Sequence, residues 1–240
     1  MDPNIARLGE WVGAAKRIVF FGGAGVSTES GIPDFRSTGG LYNQQYKYPP
    51  EVIVSHTFYE ERPEEFFAFY RKRMLFPDAQ PNAAHRKLAE WERQGRLAAV
   101  VTQNIDGLHQ AAGSRNVLEL HGSVHRNYCE HCGKAFPLSY ILQSTGVPRC
   151  DACGGPVRPD VVLYEEALDS DILEAAVEDI AAADLLIIGG TSLVVYPAAG
   201  LIRYFQGSHL VLVNKTATAA DSRADLVIHD AIGAVFAQLP

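Results

Sequence analysis

Arg17-Ile-Val-Phe-Phe-Gly-Gly-Ala-Gly-Val-Ser27 is an apolar run of strand length that empties directly into a glycine-rich loop. A parallel α/β sheet places the phosphates of a nucleotide at this kind of junction. Glycines let the backbone come close to phosphate oxygens, and the amides of the following turn can donate to them. The usual hydride-transfer fingerprint G-x-G-x-x-G is incomplete, because Gly23 and Gly25 are followed by Thr28 where a third glycine belongs. The loop therefore speaks against an ordinary dehydrogenase. On its own it is also compatible with a strand-to-helix turn that binds nothing.

Outward from this junction the chain alternates strand-length apolar runs with helix-period segments. Further strands are expected at Leu97 to Thr102, Val117 to Leu120, Asp184 to Gly189, His209 to Val213 and Asp225 to His229. Helices are expected at Pro63 to Met74, Asn82 to Arg93, Ser170 to Ala182, Pro197 to Gln206 and Ala231 to Leu239, several opened by Pro, Ser or Asn. This alternation predicts an α/β, doubly wound, Rossmann-like parallel sheet built from residues 1–41, 76–125 and 157–240. Two segments interrupt it and are expected to form an inserted small domain. One is helical, at 42–75; the other, at 126–156, is rich in cysteine, glycine and proline.

That second segment holds every cysteine of the chain, as Cys129-Glu-His-Cys132 and Cys150-Asp-Ala-Cys153. The C-x2-C-x17-C-x2-C spacing is that of a four-thiolate zinc ribbon, with Gly133 and Gly154 where tight knuckles need glycine. Four thiolates complete a tetrahedron, so such a zinc would hold structure and leave the chemistry elsewhere. Two disulfides, or His131 as a ligand, are the weaker readings.

With 240 residues, 47% of them hydrophobic, there is material for one good core and a small module that a metal would staple. The formal net charge of −7 disfavours nucleic acid or an anionic membrane surface as partners and suits basic substrates better. The apolar runs Leu185 to Gly190 and Leu210 to Val213 are far too short to span a bilayer. Met1-Asp-Pro-Asn has neither a basic nor an apolar signal region, so a cytoplasmic location is expected, where paired cysteines usually mean metal.

Six motifs occur in one order: Gly23-Ala-Gly-Val-Ser27, Gly31-Ile-Pro-Asp-Phe-Arg36, Thr102-Gln-Asn-Ile-Asp106, His121-Gly122, the two cysteine pairs, and Gly190-Thr-Ser-Leu193 with Tyr196-Pro197. In that order and spacing, from about Lys16 onward, the chain resembles the sirtuins. The resemblance implies an NAD-dependent protein lysine deacetylase, a monomer, acting on acetyl-lysine-bearing proteins or peptides. The acetyl group would pass to ADP-ribose with release of nicotinamide. A deacylase preferring other acyl groups, an NAD-dependent ADP-ribosyltransferase and a non-enzymatic zinc-ribbon module are the alternatives.

Carried over residue by residue, the resemblance makes His121 and Asn104 catalytic. His121 would be the general base, for which an imidazole with an ordinary pKa near 6.5 is suited. Ala24, Thr28, Phe35, Arg36, Gln103, Ile105 and Asp106 would hold the nicotinamide, ribose and phosphate side of the cofactor, with Asp34 organising the loop. Thr191, Ser192, Asn214 and Ile232 would hold the adenosine side, although Ile232 also suits a core position. Val162, Glu165, Val194 and Tyr196 would flank the peptide, which would pair with both segments as an added strand. Here Leu163-Tyr-Glu-Glu166 departs from the family's Phe-Gly-Glu, placing a carboxylate near the peptide. Finally, Glu65 to Arg71 resembles the helix lining the acyl channel. Phe67 and Tyr70 stand where members that prefer acidic acyl groups carry tyrosine and arginine.

Overall fold

The protein is described by a computed structural model over residues 2–35, 40 and 46–240. In chain order its elements begin with α1 (Pro3–Ala14), β1 (Ile18–Gly22), α2 (Pro50–Ile53), α3 (His56–Glu61), α4 (Pro63–Arg73), α5 (Ala83–Arg93), β2 (Leu97–Thr102), α6 (Leu108–Ala111) and β3 (Val117–Glu119). They continue with β4 (Gly122–Cys129), β5 (Ala135–Pro137), α7 (Leu138–Gln143), β6 (Val157–Val161), α8 (Ser170–Ala182), β7 (Leu185–Gly189), β8 (His209–Val213), β9 (Leu226–Ile228) and α9 (Ile232–Phe236). The stretch expected as a helix from Pro197 is a 3-10 helix, Ala198–Tyr204.

Six strands make a parallel sheet in the order β3-β2-β1-β7-β8-β9. The chain builds outward from β1 to one edge and then returns to β7 on the other side of β1. The topological switch point, where such sheets bind ligands beyond the strand ends, therefore lies between β1 and β7. Every residue of β1 and β7 is buried, and successive side chains alternate between the two faces with period two. Ile18, Phe20, Val100 and Ile187 pack with Leu8 of α1, Trp91 of α5 and Phe236 of α9. Val19, Phe21, Val101 and Ile188 pack with Ile180 of α8 and Leu201. A doubly wound sheet covered on both faces follows, as the alternation of apolar runs predicts.

α1 is not among the helices expected from periodicity, yet its signals are local. Asp2 Oδ1 accepts from Asn4 N at 2.7 Å, Pro3 opens the helix, and Ile5, Leu8 and Val12 share one buried face.

The small lobe carries an antiparallel sheet, β5-β4-β6, whose strands begin at Gly122 and end at Val161. The helical and cysteine segments share one core. Phe58, Phe66, Phe67 and Tyr70 pack with Val124, Phe136, Ile141 and Val157, and Cys129 and Cys150 belong to the same cluster. Among the described residues no helix is long and apolar enough to cross a membrane.

Candidate active site

The loop after β1 is stitched to the loop after β7. Gly23 N donates to Gly189 O at 3.3 Å and Gly25 N to Gly190 O at 2.7 Å. A Cβ on Gly25 would stand 2.8 Å from Gly190 Cα and O, so glycine is required by this loop-to-loop approach before any ligand is considered. Beyond the joined loops opens a cavity of about 670 Å³ between the sheet and the small lobe. It lies at the switch point identified from the strand order.

One wall comes from the segment after β2 and from the His121-Gly122 junction. Gln103, Asn104, Ile105, Asp106 and His121 all line the cavity, as do Ala24, Ser27, Asp34 and Phe35. Asn104 Nδ2 donates to Ser27 Oγ at 3.0 Å, and Ser27 Oγ donates to Asp106 Oδ2 at 2.6 Å. Asp106 Oδ1 accepts from Leu108 N at 2.9 Å. Burial raises the Asp106 carboxyl above its ordinary value, against the lowering effect of the Ser27 and Leu108 donors. Gln103 Nε2 is buried without a partner among the described residues, a donor that a polar ligand in the cavity can satisfy. His121 Nδ1 lies 2.9 Å from Gln103 O. Burial lowers the imidazole pKa below 6.5 and the bond to Gln103 opposes this in part. Ser27 closes the Gly23–Ser27 motif, which by sequence assigns it no role. Its hydroxyl links the amide and carboxylate that the motif reading singled out.

The opposite wall holds Thr191, Ser192 and Asn214 at strand ends, and the mouth holds Val162, Glu165 and Tyr196. Three of the residues assigned to cofactor or peptide do not line the cavity. Thr28 Oγ1 donates to Gly25 O at 3.0 Å and so braces the loop from behind. Val194 is 53% exposed outside the cavity. Ile232 is buried in the core, where its Cδ1 fills the space beside Gly189. Arg36 lies outside the described residues. Phe67, expected on the acyl channel, packs instead against Tyr59 and under the Arg71 guanidinium. Phe66 and Tyr70, which are spaced i,i+4 and stack at 5.6 Å, are the α4 residues on the cavity wall, joined by Arg73.

Glu165 differs from its expected setting in a way that its backbone explains. Its φ is +77°, in the left-handed region that glycine enters freely and that costs an L-residue about 1–2 kcal/mol. Its carboxylate is turned to α3, where Oε2 accepts from Thr57 N at 2.9 Å and Thr57 Oγ1 at 2.7 Å. Those donors hold the carboxyl below its ordinary pKa, so it remains charged while bonded.

The four cysteine sulfurs lie within 4.8 Å of one another, with Sγ–Sγ separations of 3.4 Å for Cys129–Cys153 and 3.7 Å for Cys132–Cys150. Four Zn–S bonds of about 2.3 Å imply sulfur separations of about 3.8 Å, so a tetrahedral zinc fits. Gly133 and Gly154 have φ of +71° and +73°, and each donates its N–H back to the first cysteine of its knuckle at 2.9 Å. His131 leans on Gly155 and is not part of the cluster.

A doubly wound sheet with its cavity at the switch point, capped by a four-thiolate lobe, defines a nucleotide-binding α/β protein of two unequal lobes. The family model described as the Sir2 family matches residues 23–197, and the chain belongs to that family. It is 63% identical over 235 residues to an NAD-dependent protein deacetylase of Clostridium acetobutylicum, covering 97% of this chain and 96% of that one. To the NAD-dependent protein deacetylase of Clostridium perfringens it is 59% identical over 242 residues, covering 100% and 99%. Among solved structures, a Sir2 complex with deacetylated p53 peptide and 3'-O-acetyl ADP-ribose superposes with a TM-score of 0.89 at 39% identity, covering 97% of this chain and 96% of that one. A Sir2 complex with p53 peptide and NAD+ gives 0.85 at 39% identity, covering 98% and 96%.

Proposed function

We propose that this protein is an NAD-dependent protein lysine deacetylase, transferring the acetyl group of acetyl-lysine to ADP-ribose and releasing nicotinamide. The observation that carries the reading is His121. It is a cavity-lining imidazole held neutral by burial, with Nδ1 bonded to a carbonyl and Nε2 left as the basic atom.

NAD supplies an electrophilic ribose carbon and a leaving nicotinamide. The chain's part is to bind, orient and take up a proton. Asn104, Ser27 and Asp106 form one hydrogen-bonded row that fixes the polar wall beside Gln103. Gln103 and Asp106 offer a donor and an acceptor to the nicotinamide-ribose end, and Phe35 covers it. Thr191, Ser192 and Asn214 serve the adenosine end. Nε2 of His121 takes the proton from a ribose hydroxyl, and imidazole can return it later in the cycle. Val162, Glu165 and Tyr196 border the entry of an extended peptide, and Phe66 and Tyr70 wall the apolar end that suits a neutral acetyl group.

Cys129, Cys132, Cys150 and Cys153 would hold zinc with four thiolates, which would leave no position for substrate and give the metal a structural role alone. The protein is read as a cytoplasmic monomer, and the net charge of −7 supports the absence of a nucleic-acid partner.

An acetylated peptide incubated with and without NAD tests the reaction. Nicotinamide and deacetylated lysine should appear in equal amounts, and only together. Nicotinamide release with the acetyl-lysine intact would instead indicate ADP-ribosyl transfer.

A further inference from the structure

Among the described residues, the only non-glycine positions with positive φ are Glu165 (+77°) and Leu193 (+55°). They lie on two segments, 161–166 and 190–197, that contribute to the cavity wall. Backbone strain persists where surrounding contacts over-determine it, and it gathers at ligand clamps. Leu193 N is tied to Thr191 Oγ1 at 3.2 Å, but its side chain is simply buried. Glu165 is different, because the contacts that hold it are made by its own side chain.

The segment around Glu165 is fastened along one edge to residues 54–57. Tyr164 N donates to Val54 O at 3.0 Å and His56 N donates to Tyr164 O at 3.0 Å, a parallel bridge outside the named strands. Glu165 extends this with its two bonds to Thr57. Glu166 adds bonds from Leu163 N at 2.8 Å, from His56 Nδ1 at 2.8 Å and from Arg158. On its other side the segment is anchored to the proposed base, since Val162 N donates to His121 O at 3.0 Å.

We propose that Glu165 is a substrate-positioning residue. Its carboxylate clamps Thr57, and the clamp holds residues 162–166 in the curve that pairs with an extended acyl-lysine peptide. Glycine at this position would adopt the same φ freely but would lose the two bonds to Thr57, leaving only the His56 contacts of Tyr164 and Glu166 to hold the segment against α3. Glu165 accepts the strained φ and removes that freedom, so the peptide meets a segment already in its bound shape. The proposal rests on the deacetylase reading for its substrate. The clamp itself is independent of that reading.

Four single variants test it: Glu165→Ala, Glu165→Gly, Glu165→Gln and Thr57→Val, each checked for zinc content as a measure of intact fold. Two readouts are taken, steady-state kinetics with acetylated peptide and amide hydrogen exchange of residues 163–166 without peptide. Glu165→Ala should raise the peptide KM about 5- to 10-fold with kcat and the NAD KM within about twofold, and should speed exchange at 163–166 about tenfold or more. Glu165→Gln should restore most of both, since an amide oxygen can accept from Thr57. Thr57→Val should fall between, having lost one of two donors, and Glu165→Gly should exchange fastest. Unchanged exchange and unchanged peptide KM in Glu165→Ala would overturn the proposal. If wild-type protein releases no nicotinamide with acetylated peptide, the deacetylase reading fails, and the exchange measurement still decides the clamp.

Discussion

His121 Nδ1 stands 2.9 Å from the carbonyl oxygen of Gln103, and the two residues thereby fix each other's roles. A carbonyl oxygen only accepts, so the ring proton is on Nδ1 and the lone pair is on Nε2. The same bond sets the direction of the backbone at Gln103, whose side-chain Nε2 has no partner among the described residues. One contact prepares both the base and a ligand donor.

Replacing His121 by Ala should therefore lower peptide-dependent turnover by about 10²–10⁴-fold while leaving NAD binding largely intact. Calorimetric titration of NAD into His121→Ala checks the second half; loss of binding there would make the residue a cofactor holder.

The pH profile of kcat/KM carries the sign of the His121 shift. Burial puts the folded pKa below 6.5, and the neutral ring is the active form. Activity should be full at neutral pH and fall only as pH drops through a midpoint below 6.5. An acid limb centred above 6.5 would contradict the assignment of His121.

Much of this was readable from the chain because the signals are local. The six strands of the main sheet are apolar runs bounded by turns, and β2 and β8 start and stop where the sequence predicts. The four cysteines needed only their spacing. What escaped was decided across space. Ile232 suits an adenine-facing position or a core position equally well by sequence, and only packing against Gly189 places it in the core. Phe66 and Phe67 are adjacent and alike, and the rotation of α4 decides which of them meets the cavity. Glu165 reads as a charge near the peptide until its φ shows the side chain turned toward Thr57.

Removal of zinc should unfold the small lobe first. Cys129 and Cys150 belong to the core shared with Phe66, Phe136 and Val157, and structural zinc sites contribute on the order of 10 kcal/mol. Cys129→Ser or Cys150→Ser should lose zinc, lower the thermal midpoint and weaken activity through the displaced α3 and α4. Metal analysis that found no zinc in folded, active protein would reject this.

His85 and His109 predict a second pH effect, on stability. Their rings meet at 4.7 Å in the core, and burial lowers His85 to about 4 and His109 well below 6.5. The unfolded chain binds these protons near 6.5 and the folded chain does not, so stability is present above 6.5 and is lost as pH falls toward 4. For His85 alone the loss between pH 7 and pH 5 is about 2 kcal/mol. Urea titrations at both values should show it. His85→Gln, which keeps a capping-box residue at the third position of α5, should flatten the slope, and an unchanged slope would count against the buried pair.

Acyl preference follows from what α4 brings to the cavity. Phe66 and Tyr70 line it, and the buried Tyr70 hydroxyl has no partner among the described residues. Arg71, the cation next in sequence, is turned away, with its guanidinium bonded to Ile141 O at 3.0 Å, Ser144 Oγ at 2.8 Å and Gly146 O. Arg73 lines the cavity but lies over the Tyr46 ring at 5.6 Å. Among the described residues, a succinyl carboxylate between Phe66 and Tyr70 would meet the Tyr70 phenol, with the cavity-lining Arg73 guanidinium engaged by the Tyr46 ring, and burying an unpaired charge costs several kcal/mol even after relaxation. A neutral acetyl group avoids that cost. On matched peptides, kcat/KM for acetyl-lysine should exceed that for succinyl-lysine by about 100-fold or more. Equal efficiencies would show that a cation does reach the carboxylate. Arg73→Ala would then have to abolish desuccinylation selectively if Arg73 were that cation.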